Sequence, residues 1–157
     1  MGQEIERKFL VVGDQYKVGS VRHYIRQGYL CNEPERVVRV RIEDENGLIT
    51  IKGRTVGLTR PEFEYEIPLE DAVLLLENLC PKPQIEKYRY RIEINGSMWE
   101  VDEFLGENAG LVVAEIELAT EDTGYVRPAW LGDEVTFDSR YINANLVRTP
   151  YKEWGER

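Results

Sequence analysis

The chain has 157 residues, 42% of them hydrophobic, the size of one ordinary domain able to bury a core, and a single domain over 1–157 is expected. Its formal charge of −9 opposes long-range attraction to nucleic acid or to an anionic membrane, so neither is expected as a partner. Cys31 and Cys80 lack a CxxC spacing and His23 is the single histidine, which argues against a disulfide framework and a structural zinc site. Two free thiols and the lack of an apolar run of membrane-spanning length make a cytoplasmic location the expectation.

Alternation at every second residue predicts strands over 3–12, 21–31, 36–45, 48–55, 61–67, 85–95, 98–105 and 111–119. Asn46-Gly47 and Asn95-Gly96 lie between alternating runs, and both pairs tolerate the positive φ of a type I′ turn, so consecutive hairpins and an antiparallel meander are expected. Pro68 opens a helix over Leu69–Cys80, with Glu70 and Asp71 favouring its dipole and Leu69, Ala72, Val73, Leu76, Leu79 and Cys80 forming its apolar stripe. Pro81 and Pro83 forbid its continuation. A second helix is expected to start at Ser139, capped by that hydroxyl, and to stop at Pro150; Trp154 is the residue able to anchor the tail.

The polar faces of the strands carry the functional signal. Glu4, Glu6 and Lys8 share one face of the first strand; Arg39 and Arg41, then Thr50, Lys52 and Arg54, then Glu62, Glu64 and Glu66 share faces of the next. Lys87, Arg89 and Arg91 follow, then Glu100 and Asp102, then Glu115 and Glu117. Solvated faces usually mix neutral polar residues with charges, whereas here nearly every strand offers two or three ionisable groups of one sign, rich in arginine.

Eight antiparallel strands can close into a barrel, and inward charged faces then give a lumen with opposed charges. Buried charges require partners, so the acidic groups call for cations and the basic groups for an anion with many oxygens. A polyphosphate bridged by a divalent metal meets both demands. Arginine donates bidentately to phosphate, and carboxylates without histidine or cysteine select a hard ion such as Mg²⁺ or Mn²⁺. An ExE pair sets two carboxylates on one face, roughly 7 Å apart at the backbone, from where long side chains converge.

These residues resemble those of the CYTH superfamily, the triphosphate tunnel metalloenzymes. Glu4-Ile-Glu6-Arg-Lys8 resembles its ExExK signature, and the ordered series Arg39-x-Arg41, Thr50-x-Lys52-Gly53, Glu62-x-Glu64, Lys87-x-Arg89-x-Arg91, Trp99-x-x-Asp102, Glu115-x-Glu117 and Ser139-Arg140-Tyr141-x-Asn143 extends the match over nearly the whole chain. The resemblance implies a mainly β, eight-stranded antiparallel barrel or tunnel with a charged lumen, flanked by a few helices, that acts on a triphosphate small molecule. It implies phosphate contacts from Lys8, Arg39, Arg41, Lys52, Arg54, Arg89 and Arg91, and metal ligation by Glu4, Glu6, Glu64, Glu115 and Glu117. It further implies a catalytic role for Lys87 paired with Tyr29, while Tyr16, Tyr24, Tyr88 and Tyr90 remain rival tyrosines; in a hydrolytic mechanism Glu4 and Glu6 would act by holding a second metal that positions and acidifies the attacking water.

Hydrolysis of inorganic triphosphate is the leading expectation. Cyclisation of ATP to cyclic AMP and pyrophosphate is the runner-up, although no nucleobase signature is evident. Thiamine triphosphate hydrolysis would want an aromatic mouth, for which Tyr16, Tyr24 or Trp130 are candidates. A polyphosphate-binding module without turnover gains nothing from two ExE pairs that repel its ligand. His23, Trp99, Cys31 and Cys80 are read as packing or surface residues, and Asp102 either as a support for the metal or a basic group or as a salt-bridge partner. Outward apolar faces are compatible with a homodimer.

Overall fold

The computed structural model describes residues 2–155. Ten antiparallel strands run β1 (Glu4–Val11), β2 (Val21–Glu33), β3 (Arg36–Glu43), β4 (Asn46–Lys52), β5 (Thr59–Arg60), β6 (Glu62–Ile67), β7 (Ile85–Ile94), β8 (Ser97–Phe104), β9 (Val112–Glu117) and β10 (Leu131–Glu134), with helices α1 (Leu69–Asn78) and α2 (Asn143–Arg148). The spatial order is β10-β1-β9-β8-β7-β2-β3-β4-β6, with β5 pairing β1 off this path. The eight expected strands are all present; β5 and β10 are additional and short.

The ladder differs from the expected barrel in that it does not close. One edge of β1 is divided: Phe9 and Val11 pair with β10, while Glu4 and Ile5 pair with β5. β6 is not paired with β1 in the ladder; the two edges approach through β5, a hydrogen bond from Glu62 N to Gly2 O (3.2 Å), just before β1, and Lys52, which bridges Glu4 and Glu62. The sheet still curls enough that side chains from β1, β2, β3, β4, β6, β7, β8 and β9 line one cavity.

Two expected turns have different outcomes. Asn95 and Gly96 both adopt positive φ (50° and 80°) between Ile94 and Ser97, as the hairpin signal demands. The β3–β4 hairpin instead turns at Asp44 and Glu45, Asp44 having φ 56° and accepting a hydrogen bond from Tyr24 N, so Asn46 and Gly47 lie in β4. Gly47 is needed there because a Cβ would lie 2.9 Å from Ile67 O and 3.0 Å from Ala72 Cβ, under the start of α1.

Apolar cover comes from three sides. α1 sets Ala72, Leu76 and the following Cys80 on Val40 and Ile42, the outward residues of β3. Phe9, Tyr90, Trp99, Val101, Ala114 and Ile116 form the outer core of the other half of the sheet, covered by Tyr16, Tyr125 and Trp130. A third cluster, Ile85, Phe104, Leu111, Val113, Tyr141 and Leu146, continues the inward faces of β7, β8 and β9 and packs on α2. The second helix is shorter than expected and begins after a 3₁₀ turn at Ser139–Tyr141, whose cap is Asp138 accepting from Arg140 N rather than Ser139. Trp154 does anchor the tail, packing edge-on to Tyr141 and Tyr151.

Candidate active site

Strand period places the charged residues. Register pairs Glu6 with Glu117 and Lys8 with Glu115, Arg39 with Thr50, Lys52 with Glu62, Arg89 with Asp102 and Arg91 with Glu100, so each set shares the inner face. Every residue expected at the site, namely Glu4, Glu6, Lys8, Tyr29, Arg39, Arg41, Lys52, Arg54, Glu64, Lys87, Arg89, Arg91, Glu115 and Glu117, lines a single cavity of about 580 Å³.

The cavity is divided by charge. One wall, from β7 and β3, carries Lys87, Arg89, Arg39 and Arg41, all buried. Arg39 donates from Nη2 to Thr50 Oγ1 (3.1 Å), and Thr50 donates to Glu64 (2.8 Å), but Arg39 Nε is buried without a partner. A donor left unpaired in this way costs free energy unless an acceptor reaches it. Burial, with Arg39 and Arg89 alongside, pushes Arg41 down to about 9. Arg39 and Arg41 meet carboxylates at long range, Glu64 at 3.7 Å and Glu43 at 3.9 Å, whereas Arg89 is held closely by Asp102 and Glu100.

Asp102 anchors that wall from below. It is fully buried and accepts from Lys87 Nζ (2.8 Å), Arg89 Nε (2.7 Å) and Arg89 Nη2 (2.8 Å). Although burial opposes ionisation, Arg89 and Lys87 hold its carboxyl far below the usual range. Lys87 moves the other way: burial, outweighing Asp102 and assisted by Arg89 and Arg41, lowers its ammonium to about 7. Asp102 is a salt-bridge partner of Lys87 and Arg89, the two basic groups of that wall it touches.

The opposite wall, from β1, β9 and β6, is acidic. Lys52 bridges Glu4 (3.2 Å to each oxygen) and Glu62 (3.3 Å), and Lys8 lies 3.8 Å from Glu115 while donating to Tyr141 O (3.1 Å). Burial acts against ionisation of Glu115, yet Lys8 and neighbouring cations bring it to about 2. Glu6 is pushed well above the ordinary carboxylate range by burial and by Glu115 and Glu4; Glu117 is raised by burial, Glu4 and Glu62. The wall thus holds more negative charge than Lys8 and Lys52 neutralise. An all-oxygen donor set with excess charge fits a hard divalent cation. Among the described residues, no three acidic, histidine or cysteine side chains already stand at metal-ligand geometry.

Three expected residues are engaged differently from the buried cations. Arg54 is exposed and pairs with Glu35 (2.5 Å) at the rim. Arg91 is held between Glu43 (2.7 Å) and Glu100 (2.8 Å), which spans β3 and β8. Tyr29 is buried at the cavity wall, but its hydroxyl accepts from Gln27 Nε2 (3.1 Å), and Lys87 reaches toward it only through Asn143 Oδ1 (2.7 Å) and Gln27 (3.4 Å from Asn143). Of the rival tyrosines, Tyr16 and Tyr90 belong to the outer core, and Tyr24 and Tyr88 pack edge-to-face on each other outside the cavity. Tyr16 and Trp130 are buried in that core, away from the mouth. His23 pairs with Asp44 (2.7 Å).

Sequence reasoning passed over Gln27. It is fully buried and accepts from Arg41 Nε (3.2 Å). Its signal was its position, two residues before Tyr29 on the same face of β2 and opposite Arg41.

A family model described as the CYTH domain matches residues 2–151. The chain is 52% identical over 156 residues, covering 99% of it and 100% of the relative, to a protein named inorganic triphosphatase from Acetivibrio thermocellus. It is 35% identical over 155 residues, 92% and 96% of the two chains, to one of the same name from Nitrosomonas europaea. A crystal structure described as that of the inorganic triphosphatase NE1496 superimposes with a TM-score of 0.67 at 32% identity, over 91% of this chain and 96% of that one. With its ExExK strand, its two-walled cavity and a match over nearly its whole length, the chain belongs to the CYTH domain family.

Proposed function

We propose that this chain, as one domain, hydrolyses inorganic triphosphate to phosphate and diphosphate with Mg²⁺ or Mn²⁺. The observation that carries the reading is the cavity's division into a basic wall, where Arg39 Nε is unpartnered and Arg41 is loosely paired, and an acidic wall with more carboxylates than its lysines neutralise. The names of the relatives at 52% and 35% identity support the same substrate.

In this reading Arg39, Arg41 and Arg89 receive the phosphoryl oxygens, with Lys8 and Lys52 between the walls and Arg54 and Arg91 at the periphery. Glu115 and Glu117, with Glu4, Glu6 and Glu64, would hold the metal, which when bound neutralises phosphoryl charge and acidifies water. Glu4 and Glu6 orient the attacking water. That water adds to the terminal phosphorus, the bond to the bridging oxygen breaks, and diphosphate leaves. Lys87, poised near neutrality by burial, holds or returns a proton at Nζ, linked to Tyr29 through Asn143 and Gln27.

Purified protein should release phosphate from tripolyphosphate with Mg²⁺ or Mn²⁺ and lose that activity on chelation. ATP and thiamine triphosphate are run in parallel, reading phosphate, pyrophosphate and cyclic AMP separately. Cyclic AMP as the main product would select the cyclase, and tight binding without phosphate release would select a binding module. The only aromatic at the cavity mouth with a mostly exposed ring among the described residues is Phe137, so the aromatic mouth sought for thiamine is not supplied by Tyr16, Tyr24 or Trp130. The reading includes a cytoplasmic location; no described helix is long and apolar enough to cross a membrane. Exposed Ile51, Phe63 and Tyr65 on the outer face of β4 and β6 support a homodimer, which sedimentation would test.

A further inference from the structure

Gln27 lies beneath the cavity lining and touches three of its residues. Arg41 Nε is a donor only, so the Gln27 atom facing it at 3.2 Å is the carbonyl oxygen. That fixes the amide. Its nitrogen then donates one proton to the Tyr29 hydroxyl (3.1 Å) and the other to Asn143 Oδ1 (3.4 Å). Asn143 Oδ1 also accepts from Lys87 Nζ (2.7 Å), whose second donor goes to Asp102 (2.8 Å).

The direction of these bonds has a consequence for the two remaining protons. Tyr29 acts as acceptor on its protein side, so its own O–H is free for an oxygen in the cavity that it lines. Lys87 has two of three ammonium donors taken by Asp102 and Asn143, which leaves the third for the same cavity. An amide in the opposite orientation would present its carbonyl to Tyr29 and draw the hydroxyl proton inward.

We propose that Gln27 is a positioning residue for triphosphate hydrolysis: its amide, locked by Arg41, turns the Tyr29 O–H into the cavity and, through Asn143, aligns the free Lys87 N–H with it. The inference rests on the triphosphatase reading for its kinetic consequence, but the hydrogen-bond direction stands apart from it.

Q27E separates the two ends of the amide. It keeps an acceptor for Arg41 and exchanges the donor to Tyr29 for an acceptor. With tripolyphosphate and Mn²⁺, Q27E should lower kcat about 100-fold, a typical value for losing a placed proton donor, with KM changed less than about 3-fold. Q27M, which loses both ends, should also raise KM. In a Y29F background Q27E should lower kcat by no more than about 3-fold, because the hydroxyl it acts through is gone. An equal kcat loss in both backgrounds, or a Q27E enzyme with unchanged kcat, overturns the proposal.

A second readout needs no turnover. In ¹H–¹⁵N spectra of the full chain, one glutamine side-chain amide should be protected from exchange, vanish in Q27E, and shift in Y29F and in N143A. If the wild type releases no phosphate, the functional reading fails while these spectra still decide the hydrogen-bond direction. Should Q27E not fold, Y29F and N143A report on the native amide, and unshifted, fast-exchanging signals refute the proposal.

Discussion

Asp102→Asn removes the one anion beneath the basic wall while keeping the side chain's shape. Asp102 receives three charge-assisted hydrogen bonds of 2.7–2.8 Å from Lys87 and Arg89, all three groups being nearly inaccessible. The carboxamide can accept at one atom only and turns an NH₂ toward the other cation. Arg89 keeps a second partner in Glu100 at 3.2 Å, whereas Lys87 is left with the neutral Asn143. Breaking a buried ion pair from one side costs about 3–5 kcal/mol, a large part of the ~5–15 kcal/mol that holds a domain folded. With a urea m value of about 2 kcal/mol/M, the unfolding midpoint falls by about 2 M. Urea unfolding at pH 6 without ligand, below the value to which Lys87 is lowered, measures this. Adding K87M to D102N removes the most stranded cation and should recover part of the loss. A midpoint lowered by less than about 0.5 M, or a double variant no better than D102N, would refute the idea that Asp102 is held by its two cations.

The unpartnered Nε of Arg39 and the crowded carboxylates give further expectations. R39M should lower kcat/KM for tripolyphosphate by about 10–100-fold, the equivalent of a lost charge-assisted hydrogen bond, with little change in urea stability; a wild-type kcat/KM would contradict the phosphate role. Glu6 has a raised pKa when folded, so the native state binds more protons than the unfolded state between the ordinary and the raised value, and stability falls as pH rises through that window. E6Q should therefore stabilise the metal-free protein more at pH 8 than at pH 5 while abolishing metal-dependent turnover, with thermal unfolding at both pH values as the check. G28A would place a Cβ 2.9 Å from Cys80 Cβ and 3.1 Å from Leu76 Cδ2, so overpacking under α1 should cost about 1–3 kcal/mol, read by the same urea titration.

Alternation made most of the fold legible. Residues that pair across strands, such as Lys8 with Glu115 and Arg89 with Asp102, already stood at matching parity in the chain, so one inward face implied the others. Closure was not legible because it turns on how one edge of β1 is shared. Two residues of β5 and a few of β10 settle it, and runs so short carry no period to read. Asn46-Gly47 misled for a related reason: glycine there answers to the nearby Ile67 carbonyl and Ala72, a tertiary demand that mimics a turn signal. The charged lining could be read from one-sign alternation, but the roles of Gln27 and Asn143 could not, although Asn143 stands in the closing motif and Gln27 shares a strand face with Tyr29. A neutral amide announces no chemistry until its donors and acceptors are seen to face Arg41, Tyr29 and Lys87.

The strict alternation of β3 and β7 also governs how the chain finds its register. In β3 Arg39 and Arg41 alternate with Val40 and Ile42, and in β7 Arg89 and Arg91 alternate with Tyr90 and Ile92. A slip of one residue would drive guanidiniums beneath α1 and into the aromatic cluster around Trp99, and would leave branched aliphatics facing the carboxylates. Such a misfolded ladder would be penalised on both faces at once. The cations that suit the cavity for a polyanion therefore also act during folding, rejecting pairings slipped by one residue, and a variant that neutralises several of them weakens fidelity of assembly as well as ligand capture.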